Sequence, residues 1–313
     1  MIYMNRSELI FLYDIKDNNP NGDPLDSNKP RIDEETGINY VTDVRIKRTI
    51  RDYLYEYKGK EIFVREKRTD KDYVQDAKTR TKDFGSNKEE AIKNILSNCI
   101  DVRLFGATIP LEFVKNDKGS ATFTGPVQFN IGRSLHKVAL KRIKGTGAFA
   151  SAEEGKDNKT FREEYILPYS LIGFQGIINE HAAEETKLQE EDINLLLEAM
   201  WNGTKNLISR SKVGQMPRML VKVNYRENNF HIGDLIKGIK LETQLNDEEN
   251  IRGLENFKLN IDKLVSTLIK NKEKILNVEY IIDDNVNLVL NGKETGFDEA
   301  IKEVNPVELK IKG

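Results

Sequence analysis

The chain has 313 residues, 38% hydrophobic and 32% charged, with a formal net charge of −2. That length leaves room for one elaborated domain or two small ones, and the charge balance excludes a chain that coats nucleic acid through overall basicity, so phosphate binding must come from local cationic patches. A single cysteine, Cys99, excludes an internal disulfide and fits a reducing compartment. With no apolar leader and no run near the ~18 apolar residues of a membrane span, the expected location is cytoplasmic, with no membrane partner.

Residues 7–16, SELIFLYDIK, are rich in Ile, Leu, Phe and Tyr and read as a buried strand. They run into a long loop, residues 17–37, dense in Asn, Asp, Pro and Gly. A loop of this length inside a compact domain is usually functional. Asn19 and Asn21 can donate and accept hydrogen bonds there, Gly22 permits close backbone approach, and Arg31 adds a fixed charge.

Residues 41–58, VTDVRIKRTIRDYLYEYK, form the most informative stretch. Thr42 or Asp43 can cap a helix start through a short side-chain oxygen. At helical spacing Ile46, Ile50, Tyr53, Leu54 and Tyr57 gather on one face. Lys47, Arg48, Arg51 and Lys58 fall opposite, with Arg45 on the flank. A solvated surface helix carries the same pattern. Two features favour a binding surface: Asp52 and Glu56 leave the centre of the cationic arc free, and the polar loop precedes it.

Residues 59–98 read as a highly charged, protruding insertion, with Lys67, Arg68, Lys71, Lys78, Arg80 and Lys82 among acids and a short returning helix at 91–99. VRLFGATIP, from Val102, turns back into apolar structure, and Gly106 suggests a tight backbone approach. Phe123, Val127, Phe129 and Ile131 alternate as a strand. Residues 139–160 then become basic and glycine-containing. Lys137, Lys141, Arg142 and Lys144 precede a small-residue tip with Gly145, Gly147 and Gly155, the pattern of a hairpin arm. Residues 164–179 are strand-like. Residues 190–209 form an amphipathic helix with Trp201 beside its apolar stripe, and 218–225 form a further strand preceded by a polar loop at 211–217. From 227 onward the chain reads as an extension packed on the main domain, with a helix at 251–271 and strands at 277–282 and 287–290.

This order is an α+β pattern. It matches the strand–helix–strand–strand–helix–strand arrangement of ferredoxin-like and RNA-recognition folds, without the aromatic signature of a standard RNA-recognition motif. His136, His181 and His231 are far apart, and no phosphate-cradling glycine motif occurs, so no cofactor is expected. Asp14, Asp17, Asp23, Asp26 and Asp33 are the carboxylates that can hold a divalent metal beside nucleic acid. Asp is equally a default turn residue. The cationic helix, loop and arm together fit a grip on a sugar–phosphate backbone.

The runs NPNGDPLDSNKPRIDEETG, VTDVRIKRTIRDYL, VRLFGA, FTGPVQFNIGRS and YILPYSLIGFQGIIN resemble the backbone subunit of type I CRISPR surveillance complexes, the Cas-seven family, with the I-B subtype nearest and I-C similar. The likeness spans about residues 7–225. It implies an RNA-recognition-like palm over 1–226, with inserted fingers at about 59–100 and a β-hairpin thumb at about 136–163, and a C-terminal extension over 227–313. It implies copies polymerised along one CRISPR guide RNA, which pairs with target DNA in antiviral defence. The other implied partners are neighbouring copies, other subunits of the complex and a recruited helicase–nuclease. Carried over by position, Lys47, Arg48 and Arg51, with Arg45, match the basic helix. Thr42 and Asp43 match its polar start, and Asn19, Asn21 and Arg31 lie in the matching loop. Lys137, Arg142 and Lys144 are placed by region. The subunit is not expected to be an enzyme. The alternatives are a metal-dependent ribonuclease of the type III kind using Asp33, and a stand-alone RNA-binding module.

Overall fold

The computed structural model describes residues 2–69, 72–113, 119–150 and 159–311. Lys71 and the arm tip at 151–158, with Gly155, lie outside the described residues.

The N-terminal part runs through β1 (Ser7–Asn18), a short β2 (Gly22–Asp23) and β3 (Lys29–Pro30), then β4 (Ile32–Asp33), β5 (Ile38–Val41) and α1 (Asp43–Glu56). The insertion carries α2 (Ala77–Lys82), α3 (Lys88–Asn98), α4 (Ile100–Phe105), β6 (Gly106–Pro110) and β7 (Ser120–Thr124). There follow β8 (Val127–Phe129), β9 (Gly132–Lys137), β10 (Lys141–Ala150), β11 (Lys159–Ile178), α5 (Glu180–Thr186), α6 (Glu190–Lys205) and β12 (Met216–Tyr225). The C-terminal part holds β13 (Lys240–Thr243), β14 (Phe257–Asn260), α7 (Asp262–Lys270), β15 (Ile275–Ile282), β16 (Leu288–Leu290), β17 (Lys293–Glu294), α8 (Phe297–Ala300) and β18 (Pro306–Glu308).

One ten-stranded sheet organises the chain. Its path is β18–β15–β12–β1–β11–β9–β5–β4, with β8 and β10 also paired to β11. β1 lies between antiparallel β11 and β12. Successive strand side chains point to opposite faces, and both faces of β1 are covered, so its sequence is a near-continuous apolar run. Leu9, Phe11, Tyr13 and Ile15 pack with Ile46, Ile50, Leu54, Leu196 and Met200 of α1 and α6. Ile10 and Leu12 pack on the other face with Leu259, Leu264 and Leu268 of the C-terminal part. Where α6 crosses α1, a Cβ at Gly203 would stand 3.0 Å from Tyr53 Cβ, so the glycine sets how closely the helices approach.

A third, smaller core belongs to the insertion: Phe63, Phe84, Ile95, Cys99, Val102, Ile109 and Leu111. It draws on residues past 100. Cys99 is buried in it, and burial pushes its thiol up and leaves it inert. Gly106 has φ +68°, and a Cβ there would lie 2.1 Å from the Phe123 carbonyl oxygen, the close approach its position suggested.

Three expectations are corrected. The helix expected at 251–271 is confined to α7. Phe257, Leu259 and Ile261 are buried at a period of two, so the chain before α7 forms strand β14. The C-terminal part also does more than pack against the domain: β15 pairs with β12, and β18 with β15, extending the main sheet. Tyr57, placed on the apolar face of α1, is exposed and stacks on Tyr53 with ring centroids 5.1 Å apart.

Candidate nucleic-acid interface

The start of α1 is fixed by the loop before it. Thr42 is the N-cap, but its side chain does not cap the helix. Its backbone N and Oγ1 both donate to Asn21 Oδ1, at 2.9 and 3.0 Å. Asn21 thus ties the polar loop to the helix terminus. Asp43 accepts from Lys47 Nζ at 3.0 Å, and the same ammonium donates to Gln128 Oε1 at 3.0 Å.

The open cationic arc expected of α1 is not formed. Lys47 is only 9% exposed. Arg51 donates through Nε to Asp101 Oδ2 at 3.0 Å, and Asp101, fully buried, also accepts from the backbone N–H groups of Phe63 and Val64. Both cations lie over the Phe105 ring, at 5.8 and 5.1 Å from its centroid. The cause is tertiary: α4 and β8 return across this face of α1. Arg48 remains exposed and is paired through Nε with both oxygens of Asp52, one turn away. The Arg51–Asp101 pair, with Asp101 also accepting from Phe63 and Val64, holds the insertion to the helix.

Arg45 differs. It is half-buried, and its hydrogen bond is to Thr49 Oγ1 at 3.0 Å. Among the described residues no carboxylate pairs with it. Burial lowers its pKa from the usual guanidinium range. Lys212, from the loop between α6 and β12, is in the same condition. It donates to the Asn19 carbonyl and, at 3.4 Å, to Ser211 Oγ, and has no carboxylate partner among the described residues. Burial, with Arg45 nearby, lowers it to about 8. The sequence reading missed Lys212. A lysine in a polar loop is unremarkable until the fold sets it against another cation.

The other loop residues are engaged internally. Asn19 is buried and donates through Nδ2 to Asn28 O at 2.6 Å, while its Oδ1 is buried without a partner among the described residues. Arg31 pairs with Asp23 at 3.0 Å. The arm forms as β10 and β11, antiparallel from Lys141↔Ile166 to Lys144↔Glu163. Lys137, Lys141 and Lys144 are exposed without a described ion-pair partner, whereas Arg142 pairs with Glu163. The base of the arm, the N-terminal loop and the 206–215 loop line a cleft of about 300 Å³ that includes Asn18, Asn19, Tyr165, Arg210 and Ser211. Lys29 Nζ lies 5.3 Å from the Tyr165 ring centroid, and Arg210 pairs with Glu164 at 3.2 Å, fastening the arm to both loops.

The carboxylates are dispersed. Asp14 belongs to β1, not to the loop: it accepts from Tyr169 OH at 2.9 Å and lies 3.0 Å from Arg218 Nε. Asp26 pairs with Lys29, and Asp33 accepts from Glu35 N and stands 3.8 Å from Arg133. Among the described residues no group of three or more His, Cys, Asp or Glu side chains is placed to hold a metal ion.

Residues 5–262 match the family model for CRISPR-associated protein Cas7. The chain belongs to the Cas7 family. A CRISPR-associated protein Cas7 from Haloferax volcanii is 30% identical to it, over 96% of this chain and 93% of that protein. A chain of a CRISPR RNA-guided surveillance complex, pre-nicking, superposes with a TM-score of 0.57 at 10% identity, covering 97% of this chain and 96% of that one. Another, from a CRISPR RNA-guided surveillance complex, gives 0.51 at 12% identity over 90% of each. At such identities the likeness is one of fold, a mixed α+β architecture shared with those chains. The Cas7 match takes in β1 to β12 and therefore every element that frames the cleft, Arg45 and Lys212. No helix among the described residues is long and apolar enough to cross a membrane.

Proposed function

We propose that this protein is a non-catalytic guide-RNA-binding backbone subunit of a type I surveillance complex, closest to the I-B kind. The observation that carries the reading is the Cas7 match over residues 5–262, which contains α1, the polar loop before it and the β10–β11 arm. Several copies line one CRISPR guide RNA in the cytoplasm and present it for pairing with target DNA, in contact with other subunits, while a recruited helicase–nuclease does the cutting.

Within this reading, residues 1–226 form the palm. The strand order β12–β1–β11–β8, with α1 and α6 on one face, supports an RNA-recognition-like palm. The insertion with its own small core is the fingers, and the β10–β11 arm is the thumb. RNA contacts fall to Arg45 and to the exposed lysines Lys137, Lys141 and Lys144. Asn21, Thr42 and Asp43 shape the loop–helix junction.

The test is purification under native conditions, followed by extraction of bound nucleic acid. A discrete short RNA, with the protein in fixed stoichiometric excess along it, is expected. Protein free of RNA, or one copy per RNA of any length, contradicts the reading and favours a stand-alone module. Incubating the assembled complex with complementary RNA and magnesium, beside Asp33→Ala, tests the ribonuclease alternative: regularly spaced cuts abolished by Asp33→Ala contradict the non-catalytic assignment.

A further inference from the structure

We infer that Asn291, in the turn between β16 and β17, is a site of covalent self-modification: its side-chain amide becomes a carboxylate through a cyclic imide formed with Gly292. The site lies far along the chain from the loop, helix and arm discussed above, and it does not depend on the guide-RNA reading.

The chemistry belongs to asparagine followed by glycine. The glycine backbone nitrogen attacks Asn Cγ and forms a C–N bond. The Cγ–Nδ2 bond breaks, and the side-chain nitrogen leaves as ammonia with the proton that the backbone nitrogen gave up. Water then adds across one of the two ring C–N bonds and opens the imide, returning either aspartate or isoaspartate. Water is the one co-reactant, and nothing is oxidised or reduced. Glycine favours the attack because it has no Cβ to crowd its nitrogen and allows the widest backbone rotation. The pair occurs three times in the chain: Asn21–Gly22, Asn202–Gly203 and Asn291–Gly292.

The fold treats the three differently. Asn202 is 3% exposed and lies inside α6, where the helical ladder fixes the backbone and Tyr53 presses on Gly203. Asn21 is half-buried, and its Oδ1 accepts from both Thr42 N and Thr42 Oγ1. Asn28 crowds Gly22, so that a Cβ there would stand 2.1 Å from Asn28 Oδ1. Asn291 and Gly292 are both exposed, with φ +51° and +74°, the left-handed pair expected of a two-residue Asn-Gly hairpin turn. Nothing lies within 4 Å of a Cβ built at Gly292. Among the described residues, neither the Asn291 side-chain amide nor the Gly292 N–H has a hydrogen-bond partner. The turn is held by Asn291 N donating to Asp262 Oδ1 at 2.6 Å and by two strand pairs, Val289↔Glu294 and Leu290↔Lys293. Attack requires Asn291 to rotate out of the turn conformation. A short hairpin whose second strand is exposed at the edge of its sheet opens at low cost.

The product changes the surroundings in a definite way. It places a new carboxylate on the residue already bonded to Asp262, which opens α7 and also accepts from Asn260 Nδ2 at 3.2 Å. Like charges there disfavour the contact. The isoaspartate form also lengthens the main chain by a methylene, so Leu290 and Lys293 lose their pairing. The modification therefore loosens the β16–β17 hairpin and leaves the sheet built on β1 intact.

The experiment incubates the full chain in mildly alkaline buffer, folded and in parallel in urea. It is then digested at acid pH, and the peptides carrying each Asn-Gly pair are followed by mass spectrometry. In the folded chain Asn291 is expected to convert at least about tenfold faster than Asn21 or Asn202, since those two must first break hydrogen bonds or open a helix. In urea the three rates converge. Asn291 yields two product peptides of equal mass, aspartate and isoaspartate, separable by chromatography, and Asn291→Gln removes the fast phase. Conversion of Asn21 or Asn202 as fast as Asn291 in the folded chain would overturn the inference. So would an Asn291 that reacts in urea but stays intact when folded, and a product without isoaspartate would rule out the imide.

Discussion

Two sets of cations meet α1, and they behave differently. Lys47 and Arg51 are covered by α4 and β8 and are matched by Asp43 and Asp101. Arg45 and Lys212 are half-buried without a carboxylate among the described residues. The number of charges on a surface says little about where an anion binds. The protein's own neutralisation of each charge says more, because a cation that already has a desolvated partner must lose it before gaining another.

Predictions follow from breaking each side of this contrast. Asp101→Ala has the largest expected effect. It leaves Arg51 without its buried partner and the Phe63 and Val64 N–H groups without an acceptor, so it should lower unfolding stability by about 3–5 kcal/mol, read in urea denaturation. An undisturbed midpoint would show that Arg51 and Asp101 do not hold the insertion to α1. Lys47→Met should cost less, about 1–2 kcal/mol, because Asp43 keeps access to water and only one hydrogen-bonded pair is lost to Gln128. RNA affinity of the folded variant should be unchanged, and a weakened affinity would move Lys47 to the binding set. On the other side, Lys141→Ala with Lys144→Ala should leave stability alone and reduce the salt slope of RNA binding by about 1.4. An unaltered slope would detach the arm from the RNA.

The smallest effect concerns pH. His136, at the foot of the arm, is buried, and its Nε2 accepts from Leu171 N at 3.2 Å while Nδ1 faces Lys137 O. Burial lowers its pKa. The unfolded chain then takes up a proton first. The stability contributed by neutral His136 is present above about pH 6.5 and is lost as pH falls through that value toward the depressed one. Thermal unfolding between about pH 5 and 7.5 should show the decline, and a flat profile would contradict it.

How much of this was legible beforehand depended on distance along the chain. β1, α1 and α6 carry long, uninterrupted patterns, and the order of strands and helices around them follows from those patterns. The insertion and the arm announced themselves by charge and glycine content. What failed was partnering. Lys47, read as facing away from Ile50 and Leu54, is buried against Gln128 and Phe105, and Arg51 is claimed by a carboxylate fifty residues on. Lys212 had no local signal at all, since its meaning comes from Arg45 on a distant element. The C-terminal part misled for a related reason: short strands such as β14 and β18 are defined by the strands they pair with more than by their own few residues.

The account turns on which cations remain free for RNA, and one measurement reaches it directly: the salt dependence of guide-length RNA binding for wild type, Lys47→Met/Arg51→Met and Arg45→Met/Lys212→Met, each confirmed folded. The slope should stay at the wild-type value in the first variant and fall in the second. A fall in the first with none in the second would contradict the account, placing the RNA on the face that α4 covers.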